Sequence, residues 1–344
     1  MIEFLKPTIR RRDMDSVLQA LVSEHIGPGD RTRMLAQTFA DMTHCRSACA
    51  FRSYPHSIEK ALVLLGACEG TRVVLSPLTP SVYLDALNKL GCIPVLVDVD
   101  PENGLVSAAA SESGATIMVL YDSCGSLAMK YDMQSTYHER QLYEGLSVIE
   151  DVSLSVGGRF AEEAIAGDWG QVVVCSCEDS DIVSCAGGAL LGVKGDLYYT
   201  LRSNRPDCYS EMTDLNSALG TIQFQKLEED CNRRREIAQK YNDSLVRTPH
   251  KHFGLNATDF KGSAPGFAVF LDSRPDATVK FAHKYGIPVR MTFENSIAAS
   301  YNGDMFADFP VAAAYCSRTV SFPLYPFLRS EDIDSIAKVI AHLP

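Results

Sequence analysis

The chain has 344 residues, enough for one large domain and a smaller one. Its formal net charge of −11 argues against a nucleic-acid partner, because phosphate binding needs a basic face. Hydrophobic residues make up 46% and charged residues 22%, as in an ordinary globular protein, and no apolar run approaches the ~18 residues of a membrane span.

The opening Met1-Ile2-Glu3-Phe4-Leu5-Lys6-Pro7 lacks the apolar core of a signal peptide, which leads us to expect a cytoplasmic protein. His44 and Cys45 adjoin, but nothing near them completes a zinc pattern, so no metal is expected. Amphipathic helices are expected over 57–65 and 81–90. Short β-branched runs at 72–76, 93–98, 116–121, 147–151, 171–176 and 189–193 read as strands. Continuous apolar strands alternating with helices imply a mainly parallel sheet covered on both faces. The last two runs are too close for a helical crossover, so one of them should run antiparallel.

The stretch between them, "VVVCSCEDSDIVSCAGGALLGV", is the most informative in the chain. A buried strand leads into an acidic loop, Glu178-Asp179-Ser180-Asp181, and a Gly187-Gly188 turn leads out. Cys175 and Cys177 should share one strand face, where a small core residue is the favoured reading and a reactive or metal-binding pair the alternative. With 11 cysteines and no C-x-x-C pair, a disulfide framework is not expected.

From 213 to 246 the spacing of Leu215, Leu219, Ile222, Leu227, Cys231 and Ile237 reads as one long helix. The basic run Arg233-Arg234-Arg235 on it reads as a solvated face. Strands of a smaller unit are expected at 266–272 and 287–291, with Ser330 capping a final helix. A boundary is expected near 246, giving a large unit over 1–246 and a small α+β unit over 247–344.

The order of these segments resembles the DegT/DnrJ/StrS-type sugar-nucleotide aminotransferases. The resemblance rests on "GACEGTRVVLSPLTPSVYLDALNKLGCIPVLVDVDPENG", "LSVIEDVSLSVGG", "EMTDLNSALGTIQFQKLEEDCNRRREIAQKYNDSL" and "TVSFPLYPFLRSEDIDSIAKVI". It covers nearly the whole chain. It implies an α/β fold of the aspartate-aminotransferase type, with a mainly parallel seven-stranded sheet, a small C-terminal α+β domain, pyridoxal phosphate as cofactor and a homodimer.

Site residues follow from the same resemblance. Asp151 falls where the family holds the pyridinium nitrogen, and Ser176 where a serine takes the phosphate. The Schiff-base lysine position falls on Ser180 or Asp181, so no covalent cofactor is expected there or on another lysine such as Lys130 or Lys194. The family's Ser-Gly-Thr phosphate loop reads Ser53-Tyr54-Pro55, in which Pro55 has no amide to donate. The stacking aromatic falls on Pro80, with Tyr83 nearby. The Asn-Tyr-Arg that reaches the partner subunit reads Tyr209-Ser210-Glu211. Ser53, Tyr54, Tyr83, Cys177 and Asp181 are therefore the pocket candidates. A loop carboxylate ~4 Å from a phosphate charge costs about 4 kcal/mol at an effective dielectric of ~20, unless it points to solvent.

These departures lead to the expectation of a degenerate homologue. It would be a pseudoenzyme that holds a small-molecule ligand or pairs with an active homologue, in a sugar, polysaccharide or secondary-metabolite pathway. One alternative is an enzyme reusing the pocket without pyridoxal phosphate on a nucleotide sugar or activated amino compound. Another is a dehydratase-like enzyme holding pyridoxal phosphate noncovalently. Some dehydratases of the family carry histidine as a base at the lysine position, a part Asp181 is chemically able to take.

Overall fold

The computed structural model describes residues 2–127, 145–160, 164–254 and 260–344. The N-terminal part begins with α1 (Arg11–Val22) and α2 (Asp30–Met42). It continues through β1 (Ser47–Phe51), α3 (Tyr54–Leu64), β2 (Arg72–Leu75), α4 (Val82–Lys89) and β3 (Ile93–Leu96). β4 (Ile117–Tyr121), β5 (Ser147–Asp151), β8 (Val172–Ser176) and β9 (Ala189–Val193) complete a seven-stranded sheet in the order β1-β9-β8-β5-β4-β2-β3. A minor three-stranded sheet joins β6 (Arg159–Phe160), β7 (Ala164–Ile165) and a later β11 (Phe260–Lys261).

β2 pairs in parallel with β3 and β4, and β5 with β4 and β8. β9 runs antiparallel to both β8 and β1, as the short connection requires. All five residues of β8 and of β9 are buried, which explains why these strands read as unbroken apolar runs. The two faces of β8 part company by strand alternation. Val173 and Cys175 join one core with Leu35 and Phe39, while Val172 and Val174 join another with Ile58 and Tyr83.

The long helix expected from 213 to 246 is two helices. After α5 (Leu197–Ser203) come α6 (Asp214–Gln225) and α7 (Leu227–Leu245), separated at Lys226, whose φ of −107° and ψ of 1° leave the helical region. The ammonium of Lys226 lies 3.7 Å from the buried Asp13 carboxylate, which anchors the break to α1. Apolar spacing carries across the junction, so the pattern conceals it. The break redirects the chain: α6 packs on α1 and α2, whereas Ile237, Tyr241 and Leu245 of α7 enter the core of the second main sheet.

That second sheet has the order β10-β12-β14-β13, from β10 (Lys251–His252), β12 (Phe267–Phe270), β13 (Arg290–Met291) and β14 (Thr319–Phe322). Helices α8 (Pro275–Lys284), α9 (Pro310–Arg318) and α10 (Ser330–Ile340) accompany it. Ser330 is the first residue of its helix, not the cap. The N-cap is Arg329, whose guanidinium spans both oxygens of Asp332 at 2.8 and 3.0 Å.

The arginine run is not one solvated face either. Arg233 pairs with Glu236, but Arg234 is 5% exposed and donates to the Leu324 and Pro265 carbonyls. Arg235 donates to the Gly262 carbonyl at 2.8 Å. Two of the three side chains thus tie α7 to loops around the second sheet. No described helix is long and apolar enough to cross a membrane.

Candidate functional site

The site gathers at the carboxyl ends of β4, β5 and β8, where parallel sheets leave side chains and loops free to meet a ligand. Asp151 ends β5 and is fully buried. Its Oδ1 accepts from the Ser153 amide at 3.0 Å and the Ser153 hydroxyl at 2.5 Å. Its Oδ2 accepts from the Tyr83 hydroxyl at 2.6 Å and from the Tyr54 hydroxyl. A carboxylate has about four acceptor positions, and these four donors, all neutral, fill them. Burial pushes the Asp151 pKa up, and the hydrogen bonds from Ser153, Tyr54 and Tyr83 oppose that shift.

The two tyrosines come from neighbouring helices. Tyr54 is the first residue of α3, half-buried, and meets Tyr83 of α4 edge to face at 6.3 Å. Burial and the Asp151 charge raise both phenol pKa values well above the usual range, so both stay protonated donors. Tyr83, the aromatic nearest the family's stacking position, is wholly buried and presents no exposed ring face. Ser53 is spent as the N-cap of α3, its hydroxyl accepting from the His56 amide at 3.4 Å.

The acidic loop is pinned at its base. The Cys177 carbonyl accepts from the Cys185 amide at 2.9 Å and from the Gly187 amide at 3.2 Å, and the Cys177 amide donates to the Gly188 carbonyl. Within this frame Ser180 is exposed, whereas Asp181 is half-buried and turned inward. Its Oδ2 accepts from the Glu178 amide at 2.8 Å, and the Ser176 hydroxyl lies against it. Burial pushes its pKa up to about 6, and the Glu178 and Asp151 charges add to that. Of the two positions the sequence left open, Asp181 is the one in the site. Glu178 and Asp179 are exposed, so their charges cost little there.

Cys177 does not belong to the pocket. It is wholly buried in the core on the opposite face with Cys175 and Cys185, as strand alternation from Ser176 dictates. All three thiol pKa values are raised: contact with a neighbouring thiol and burial raise Cys177 and Cys185, while for Cys175 the Cys177 contact lowers it and burial together with neighbouring charges outweighs that. Lys194 donates to the Gly167 carbonyl near Glu150. Lys130 lies outside the described residues. Tyr209 is 85% exposed, and its neighbour Ser210 accepts from the Arg52 amide at 2.9 Å. Among the described residues no group of His, Cys, Asp and Glu is arranged to hold a metal.

Sequence reasoning missed Tyr121. It ends β4 in register with Asp151 and is half-buried, and both the Asp151 and Asp181 charges reach it. The available signal was its strand-end position beside a strand-end aspartate.

The fold implies pyridoxal phosphate, and the donor set tests its fit. A buried carboxylate held only by neutral donors suits a protonated ring nitrogen, which supplies the missing counter-charge. Ser176, which the resemblance assigns to the phosphate, bonds Asp181 instead, and Pro55 near the start of α3 has no amide to add. The charge of Asp151 suits a protonated ring once one of its four donors gives way, and Asp181 supplies no amine for a Schiff base.

The DegT/DnrJ/EryC1/StrS aminotransferase family model matches residues 7–341. A protein from Streptococcus pneumoniae described as a sugar aminotransferase, in its PLP form, aligns with a TM-score of 0.86 at 16% identity, over 99% of this chain and 97% of its own. The aminotransferase TlmJ from Streptoalloteichus hindustanus gives 0.86 at 22% identity, over 99% and 98%. A variant of GDP-4-keto-6-deoxymannose-3-dehydratase (ColD) with bound GDP-perosamine gives 0.83 at 15%, over 99% and 100%. These matches overturn the expectation of a degenerate pseudoenzyme. The family pattern runs through nearly the whole chain, its neighbours are sugar aminotransferases and a dehydratase, and nothing in them marks this chain as degraded.

Proposed function

Because the chain belongs to the DegT/DnrJ/EryC1/StrS aminotransferase family, we propose that it is an enzyme acting on a nucleotide-linked sugar, by dehydratase-like proton-transfer chemistry. The observation that carries this reading is Asp181. A half-buried carboxylate with a pKa near 6 faces the site from the position that the family gives to its amine. Such a group is poised to take and return a proton near neutral pH. An amine-transfer reading lacks its lysine, and a dehydratase with bound nucleotide sugar is among the structural neighbours.

In this reading Asp151 would face the ring nitrogen of a noncovalently held pyridoxal phosphate and Ser176 its phosphate. When bound, the cofactor supplies an electron-accepting ring. The chain's own residues do the rest. Tyr54, Tyr83 and Ser153 fix the Asp151 carboxylate. Asp181 takes the proton from a substrate C–H bond in a reversible first step, and returns a solvent-exchanged proton to carbon whenever the C–O bond does not break. The electron pair left behind forms the double bond as the C–O bond breaks, and the proton on Asp181 leaves with the hydroxide as water. Asp181 is then a carboxylate again.

We also propose a homodimer. Met14, Leu18, Leu21 and Val22 of α1, with Ile26 and Met34, leave apolar side chains exposed, and this supports a second copy packing there. Sedimentation at micromolar concentration tests it, and a monomer would count against it.

The functional reading is tested by incubating the purified protein with pyridoxal phosphate and a panel of nucleoside-diphosphate-linked 4-keto-6-deoxyhexoses. Mass spectrometry should find products that have lost water. Products that have gained an amino group, or no product from any sugar, would refute it.

A further inference from the structure

Of the three tyrosines at the site, two are already committed. Tyr54 and Tyr83 both give their hydroxyl protons to Asp151 Oδ2. Tyr121 is different. It lies opposite Asp151 in the β4–β5 register, so its side chain leaves the sheet on the same face. It is half-buried, and its hydroxyl makes no hydrogen bond to any described residue. The charges of Asp151, Asp181 and Asp122 all act on it, so it lies near both the floor of the site and the loop carboxylate. An uncommitted donor at that point has a ligand atom as its natural partner.

We propose that Tyr121 is a catalytic residue that contacts the substrate, its phenol donating a hydrogen bond to the oxygen that leaves the sugar. This rests on the functional reading given above and assigns a role that reading does not contain. Tyr121 holds the oxygen and does not protonate it. Burial and the charges of three neighbouring carboxylates, Asp151, Asp181 and Asp122, oppose a phenolate, so the proton stays on Tyr121. The proton that leaves with the hydroxide is the one Asp181 took from carbon, and Tyr121 is unchanged at the end of the cycle. Its hydrogen bond strengthens as negative charge grows on the departing oxygen, so its effect belongs to the transition state.

The test is Tyr121→Phe, which keeps the ring and removes only the hydroxyl. Four quantities are compared with wild type: the melting temperature, the Kd for pyridoxal phosphate by absorbance titration, and kcat and KM on the same panel of nucleotide sugars. The proposal expects kcat to fall by roughly 10²-fold with KM changed far less. It expects the cofactor Kd to stay within about twofold, because the hydroxyl serves the substrate. An active wild type with an equally active Tyr121→Phe overturns the assignment alone. A variant that loses cofactor affinity in parallel with kcat also overturns it, since the hydroxyl would then hold the cofactor. A wild type inert on the whole panel overturns the reading on which the assignment rests.

Discussion

Replacing Asp181 with asparagine should make the protein more stable while removing its activity. In the unfolded chain an aspartate titrates near 3.9. In the folded protein burial lifts Asp181 to about 6. Between those two values the folded state binds more protons than the unfolded one, so stability falls as pH rises through that window. Above it the cost is complete. A difference of about 2 units corresponds to about 3 kcal/mol, reduced to roughly 1–2 kcal/mol because the side chain is partly exposed to solvent. Asparagine never ionises, and its oxygen still accepts from the Glu178 amide. Asp181→Asn should therefore gain roughly 1–2 kcal/mol at about pH 8 and nothing at about pH 4. Urea denaturation at the two pH values, with m-values compared, measures this directly. A variant that is less stable at about pH 8, or equally shifted at both, would show that Asp181 is not a strained carboxylate.

Three further outcomes are expected. Glu150→Gln removes a buried carboxylate that accepts from the Gly167, Trp169 and Gly170 amides, each at 2.7 Å. The amide NH2 of glutamine must then face one of those donors, at a cost of about 1–3 kcal/mol in urea denaturation; an unchanged midpoint would contradict it. Gly188→Ala sets a Cβ 2.5 Å from the Phe51 carbonyl and 2.6 Å from Met212 Cε, at a φ of +103°. It should lower stability by about 2–4 kcal/mol and the melting temperature with it, and an unshifted melt would sink the argument. Borohydride added to the pyridoxal-phosphate-loaded protein should leave no label on peptides spanning 172–193, whereas a stoichiometric label anywhere in the site would place there an amine that the described residues do not supply.

The centre of the sheet was legible because strands such as β5 and β8 are buried on both faces. Val172-Val173-Val174 and the run ending at Asp151 each fill one strand and need no longer-range information. The break at Lys226 was not legible, since apolar spacing continues through it and neither glycine nor proline marks it. Arg234 misled for a related reason. A lone charge run looks solvated until the carbonyls of Leu324 and Pro265, remote in sequence, close on it. At the site, alignment brought together Asp151, Tyr54, Tyr83, Ser176 and Asp181. It misplaced Cys177, whose side is fixed by strand alternation, and it passed over Tyr121. It also read the missing lysine as loss. The inward turn of Asp181 depends on hydrogen bonds from Glu178 and Ser176, which only the folded loop reveals.

The central claim is that Asp181 moves a proton to and from a substrate carbon. The most direct measurement is deuterium uptake into the nucleotide sugar in D2O, read by mass spectrometry for wild type and Asp181→Asn with pyridoxal phosphate present. The account predicts carbon-bound deuterium in sugar recovered from the wild type, with a rate that rises through about pH 6, and none from the variant. Equal uptake by the two proteins would contradict it.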